Sequence, residues 1–130
     1  MSQRVLLDTH AFLWMMQGYE NLSQTAVDLI ENPENQWFLS VASVWEITIK
    51  SVKGKLKVSL PISRLIEKYV EGNSIELVKV TAAHFDALHG LPHHHRDPFD
   101  RLIIAQAQSE SLTLLSRDGH FAKYNVNVVW

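Results

Sequence analysis

Short apolar runs alternate with amphipathic stretches along this 130-residue chain. Val5–Leu6–Leu7 ends in Asp8, and a helical spacing follows at once with Phe12, Leu13 and Met16 on one side. That pattern predicts a buried strand, a tight turn and a helix. Ser23 is placed to cap a second helix with Ala26, Leu29 and Ile30 as its stripe, and Asn32–Pro33–Glu34–Asn35 stops it. Trp37–Phe38–Leu39 reads as a strand. Ser40 to Val52 reads as a helix with Val44, Trp45, Ile47 and Ile49 largely buried. Leu60–Pro61–Ile62 begins a helix with Leu65, Ile66, Tyr69 and Val70 inward, ended by Gly72–Asn73. Ile75 to Val80 is strand-like, and Thr81 caps a helix carrying Phe85, Ala87 and Leu88. Asp97–Pro98 reads as an N-cap followed by proline at the first helical position, opening a helix through Leu102–Ala107. Thr113 to Ser116 is a fourth strand, Phe121 begins a short helix or turn, and Val126 to Trp130 is a last strand with Trp130 pinning the C-terminus. Strands alternating with helices predict an α/β/α sandwich whose central sheet is mostly parallel, with four to five strands.

Composition narrows the class. With 46% hydrophobic and 20% charged residues the chain is globular, and its length suits one domain spanning residues 1–130. The absence of cysteine excludes a disulfide scaffold and thiol chemistry and fits a reducing cytoplasm. No run reaches the roughly 18 apolar residues of a membrane span, and the first residues lack a basic patch followed by an apolar run. The expectation is a cytoplasmic protein without membrane contact. A net charge of −2 tells against holding nucleic acid by bulk positive charge. It leaves room for clustered acids neutralised by metal.

Four acids share a description. Asp8 and Asp118 stand at strand ends, Glu46 interrupts an apolar helix, and Asp100 falls in the first turn of another. Each has a plainer alternative: Asp8 as a helix cap, Glu46 as a solvent-facing helix residue, Asp100 as a favourable charge at a helix start. In a doubly wound sheet, strand ends and the helix starts that follow them converge on one edge. Carboxylates meeting there repel by about 4 kcal/mol per close pair at an effective dielectric near 20. Such a cluster needs cations or protonated members. Oxygen ligands with little nitrogen or sulfur select Mg²⁺ or Mn²⁺, which suits phosphate-ester hydrolysis by one or two ions. Thr9, Ser43 and Ser116 lie beside these acids and are candidates for orienting water or phosphate, with capping and turn chemistry as the alternative. Arg101 and Arg117 are candidates for holding a substrate backbone. Lys50, Lys53, Lys55 and Lys57 read as a solvated face and loop, or as a contact for phosphate or an acidic partner. His93–His94–His95 reads as a polar loop, because consecutive residues point in different directions and lack the i, i+4 spacing of common metal sites.

Four segments carry a family resemblance. Leu6–Leu7–Asp8–Thr9–His10 with Phe12–Leu13–Trp14, Ser43–Val44–Trp45–Glu46–Ile47, Arg96–Asp97–Pro98–Phe99–Asp100–Arg101 running on to Ala107, and Leu114–Leu115–Ser116–Arg117–Asp118 with Phe121 resemble the motifs of PIN domains, more closely the VapC-type toxin ribonucleases of toxin–antitoxin pairs. The family often has threonine where this chain has Ser116. The resemblance implies Asp8, Glu46, Asp100 and Asp118 as the acidic metal site, with Asp97 as cap or outer ligand. It also implies Mg²⁺- or Mn²⁺-dependent cleavage of RNA, a homodimer, and an antitoxin that blocks the site. Two alternatives are a non-catalytic module of the same fold and a phosphatase of the haloacid dehalogenase type. The latter needs a second acid two residues after Asp8, where this chain has His10.

Overall fold

Val5, Leu6 and Leu7 are all fully buried, although a strand turns successive side chains to opposite faces. The strand that carries them is therefore covered on both sides. In the computed structural model, which describes residues 2–130, the elements run β1 (Arg4–Leu7), α1 (Thr9–Met16), α2 (Gln24–Glu31), β2 (Gln36–Ser40), α3 (Val41–Val52), α4 (Ile62–Leu65), β3 (Ile75–Val78), α5 (Ala82–His89), α6 (Pro98–Ser109), β4 (Thr113–Leu115) and β5 (Val128–Val129). The strands form one five-stranded sheet in the order β3-β2-β1-β4-β5, and every pairing is parallel. Among the described residues no helix is long and apolar enough to cross a membrane.

Alternation along the strands divides the core into two. Val5, Leu7, Leu39 and Leu115 pack with Phe12 of α1, Ala26 of α2, Ile47 of α3 and Leu65 of α4. Leu6, Phe38 and Leu114 pack with Ile103, Ile104 and Ala107 of α6 and with Phe121. Each side chain fully removed from water here contributes about 1.5–3 kcal/mol, so β1 anchors both layers.

The strand order makes the site. From β1 the chain goes outward to β2 and β3, then crosses back through α5 and α6 to β4 on the other side of β1. The segments leaving β1 and β4 diverge, opening a crevice at the carboxyl edge where such sheets bind ligands. Two backbone bonds continue the ladder to this edge: Asp8 N donates to Leu115 O at 3.1 Å, and Ser116 N donates to Val129 O at 3.1 Å.

Several expectations are corrected. Trp45 is 60% exposed, because the buried stripe of α3 is Ala42, Ser43, Glu46 and Ile47. Glu46 takes the inward place that apolarity alone assigned to Trp45. Phe85 is likewise 56% exposed, and α5 buries His84 instead. The helix expected to run on to Val70 is a single α turn, Ile62–Leu65, which loosens into a π turn over Ile66–Val70 and tightens into a 3₁₀ turn over Glu71–Asn73. Ser74, at φ +56°, stops it. The strands expected over 75–80, 113–116 and 126–130 are shorter by one to three residues. Ser116 leaves the ladder where its hydroxyl turns to Asp8.

Candidate active site

Asp8 is 5% exposed and has both carboxylate oxygens committed. Oδ1 accepts from Ala11 N at 2.7 Å and so caps α1. Oδ2 accepts from the Ser116 hydroxyl. Ser116 Oγ in turn accepts from Asp118 N at 3.0 Å. The cap and the site, alternatives in the sequence, are two ends of one carboxylate. Burial raises the Asp8 carboxyl above the usual range, against the lowering effect of the Ser116 and Ala11 hydrogen bonds.

Glu46, 3% exposed, is held from two sides. Thr9 Oγ1 hydrogen-bonds Glu46 Oε1 at 2.8 Å and Ser43 Oγ at 2.9 Å. A hydroxyl carries one proton, so Thr9 donates to the carboxylate and receives from Ser43. Lys50 Nζ donates to Glu46 Oε2 at 2.7 Å, one helical turn on. Lys50 thus leaves the solvated basic run expected of it, while Lys53, Lys55 and Lys57 stay exposed. The charge that made Glu46 costly to bury is met by a partner i+4 along the same helix.

The third group is the most crowded. Asp100, in the first turn of α6, has its carboxyl pushed up to about 8, by burial first and then by Asp97, Glu46, Asp8 and Asp118. The other three acids singled out in the sequence therefore all act on Asp100. Asp118 goes the other way. Partial burial works to raise it, but hydrogen bonds from the His120 amide, the His120 ring and the His95 ring outweigh burial and hold it below the usual value. Its Oδ1 accepts from His120 N at 2.9 Å and faces His120 Nδ1 at 3.0 Å. His95 Nε2 stands 3.3 Å from Asp118 Oδ2 and 3.2 Å from Asp100 Oδ2. One ligand-type atom from each of His95, Asp100 and Asp118 lies within 4.8 Å of the others.

His95 corrects the expectation of a plain polar loop. His93 and His94 fit it: both are exposed, and the His94 amide bonds the Tyr124 hydroxyl at 3.0 Å. His95 instead turns in against Phe121, with ring centroids 5.9 Å apart. The available signal was its place two residues before an N-cap. Asp97 is that cap, its Oδ1 accepting from Phe99 N at 2.8 Å and Asp100 N at 3.1 Å. Arg101 is tied to its own loop through Pro92 O at 2.9 Å and Leu91 O at 3.4 Å. Arg117 is exposed, 6.0 Å over the Trp14 ring. Beside Glu46 and Asp100, Trp45 and Phe99 meet edge-on at 5.2 Å.

The donor set is mostly anionic oxygen, and its crowding adds to burial in pushing the Asp100 carboxyl up to about 8. A hard divalent cation relieves such crowding, and oxygen-rich sets of this kind suit Mg²⁺ or Mn²⁺.

Residues 5–127 match the PIN domain family, and the chain belongs to it. A comparison with curated protein sequences returned no match. Three solved structures share the fold at low identity. VapBC2 from Rickettsia felis, bound to a DNA fragment from its promoter, superimposes with a TM-score of 0.71 at 16% identity over 98% of each chain. VapBC-1 from nontypeable Haemophilus influenzae gives 0.69 at 16% identity, covering 98% of this chain and 97% of that one. A toxin–antitoxin complex from Klebsiella pneumoniae gives 0.64 at 19% identity, covering 97% and 96%.

Proposed function

We propose that residues 1–130 form one nuclease domain, a metal-dependent endoribonuclease that serves as the toxin of a toxin–antitoxin pair. The observation that carries this reading is the convergence on the half-buried Asp100 carboxyl of Asp8, Glu46 and Asp118, three carboxylates from three other segments, whose charges add to burial in raising it. Asp8, Asp100 and Asp118 would hold one or two Mg²⁺ or Mn²⁺ ions, with Glu46 as a further ligand or as orienter of the attacking water. When bound, the ions supply Lewis-acid polarisation of the phosphodiester and a water of lowered pKa.

The protein's own part is preorganisation. Ala11 N and Ser116 fix the Asp8 carboxylate. Thr9 and Lys50 hold the Glu46 carboxylate oxygens in place and pointed inward. Ser116 links the two strand ends, since one hydroxyl donates to Asp8 and accepts from the Asp118 amide. Burial, and after it the neighbouring carboxylates, favour the protonated form of Asp100, so cation binding there would be coupled to proton release. The exposed Trp45, with half-buried Phe99 against it, offers an apolar surface next to the acids, of the kind single-stranded bases stack on. Lys53, Lys55, Lys57 and Arg117 add exposed cations that suit an RNA backbone or an acidic antitoxin segment. The likeness to VapBC and toxin–antitoxin complexes supports an antitoxin partner, and a homodimer in the cytoplasm completes the proposal.

The test is cleavage of single-stranded RNA with Mg²⁺ or Mn²⁺ against EDTA, with the new ends mapped. The expected products carry 5′-phosphate and 3′-hydroxyl ends, and Asp8→Asn abolishes them. Cleavage that survives EDTA, or an Asp8→Asn protein as active as wild type at saturating Mg²⁺, would contradict the reading. Intact RNA under every metal condition would favour a non-catalytic module of the same fold.

A further inference from the structure

We infer that His95 serves the divalent-cation site as a hydrogen-bond donor to the Asp118 carboxylate and not as a nitrogen ligand, which makes it a positioning residue. The inference rests on the metal-site reading above and concerns how this chain's own residues shape that site.

At first sight His95, Asp100 and Asp118 form a ready ligand set, since their atoms converge within 4.8 Å. The other ring nitrogen decides otherwise. His95 Nδ1 accepts from the backbone N–H of Asp97 at 3.1 Å. A nitrogen that accepts carries no hydrogen, so the neutral ring bears its hydrogen on Nε2. That N–H hydrogen-bonds Asp118 Oδ2 at 3.3 Å, and Asp100 Oδ2 lies beside it, 3.2 Å from the same nitrogen. A nitrogen that carries a hydrogen cannot ligate a metal. For Nε2 to ligate, the hydrogen would move to Nδ1 and face the Asp97 N–H, donor against donor.

Turning the ring over would lose these contacts and its packing. The ring stacks on buried Phe121 with 28° between planes, and meets His120 edge-on at 5.6 Å. Asp97, which holds Nδ1, also caps α6 through the amides of Phe99 and Asp100. The imidazole is therefore keyed to the same helix start that sets Asp100. Its N–H draws Asp118 Oδ2 toward Asp100 Oδ2, while His120 holds Asp118 Oδ1. A carboxylate oxygen has two lone pairs, so Asp118 Oδ2 can accept from His95 and still face a cation. Outer partners of this type fix ligand orientation, and their loss lowers metal affinity about 10–100-fold.

Two measurements are read on the wild-type protein, with the conservative variant His95→Gln as the reference. Long-range ¹H–¹⁵N correlation of the metal-free protein should place the His95 hydrogen on Nε2, with the signal assigned by its disappearance in His95→Gln. Pulsed EPR of the Mn²⁺-loaded protein should show no directly coordinated nitrogen. In Mn²⁺ titration, His95→Ala should bind about 10–100-fold more weakly. His95→Gln, whose amide N–H reaches the Nε2 position, should recover most of the loss. A hydrogen on Nδ1, a nitrogen coupled directly to Mn²⁺ that vanishes in His95→Gln, or equal weakening in the two variants would overturn the inference. Wild type that binds no Mn²⁺ at all would sink the metal-site reading, and this role with it.

Discussion

Replacing Asp100 with asparagine separates the electrostatic cost of the site from its shape. Asn keeps the size of the side chain and removes the charge. In the metal-free protein the Asp100 carboxyl moves from an ordinary value of 3.8 to about 8. Between those values the folded chain keeps a proton that the unfolded chain has released. Stability on this account is fully present below about pH 4 and lost as pH rises through about 8. At about 1.4 kcal/mol for each pH unit, the loss is on the order of 5 kcal/mol. Asp100→Asn does not pay it. In EDTA, the melting temperature of Asp100→Asn should match wild type near pH 4.5 and exceed it increasingly toward pH 8.5. The final gap is on the order of 10 °C for a domain of this size. Saturating Mn²⁺ should reverse the order, because wild type gains from the cation and the variant has lost a ligand. The assay is thermal unfolding followed by circular dichroism across pH, with and without metal. An Asp100→Asn protein that melts at or below wild type at pH 8.5 in EDTA, or a gap that ignores pH, would refute the reasoning.

Other consequences carry different signs. Asp118 sits below its usual value, so its charge stabilises the fold above about pH 4 and that stability goes as pH falls; Asp118→Asn should lower the melting temperature at pH 7 in EDTA, and the deficit should vanish in acid. Lys50→Ala leaves Glu46 Oε2 buried without its partner; urea unfolding should show a loss of about 2–3 kcal/mol, and an unmoved midpoint would mean that Glu46 is not held by this pair. Asp97→Ala removes the cap of α6 and should cost about 1 kcal/mol, while Asp97→Ser, which keeps an acceptor there, should restore both stability and Mn²⁺ affinity. If the serine variant restores stability but not affinity, Asp97 touches the cation.

The sheet was legible because its strands are short apolar runs that end in polar residues at the same edge. Val5–Leu7 and Thr113–Leu115 are each bounded within a residue by the acid or hydroxyl that leaves the ladder. The caps Asp8, Ser23, Thr81 and Asp97 likewise carry a local signal, an acceptor just before an apolar period. What could not be read depends on long-range packing. Apolarity put Trp45 and Phe85 inside, yet the inward stripe of α3 belongs to Ser43 and Glu46, because Thr9 and Lys50 satisfy them. His84 is buried against Glu110 of the neighbouring helix end, with its Nε2 2.8 Å from Oε1, a partner 26 residues away. His95 looked like loop because its partners, Asp118 and Phe121, come from the other side of α6.

The central claim, that residues scattered from 8 to 118 share a divalent cation, is most directly tested by anomalous diffraction from crystals grown with Mn²⁺. A peak within bonding distance of carboxylate oxygens of Asp8, Asp100 and Asp118 is the expected result. A crevice without a peak at saturating Mn²⁺, or a peak only at the exposed His93 and His94, would contradict it.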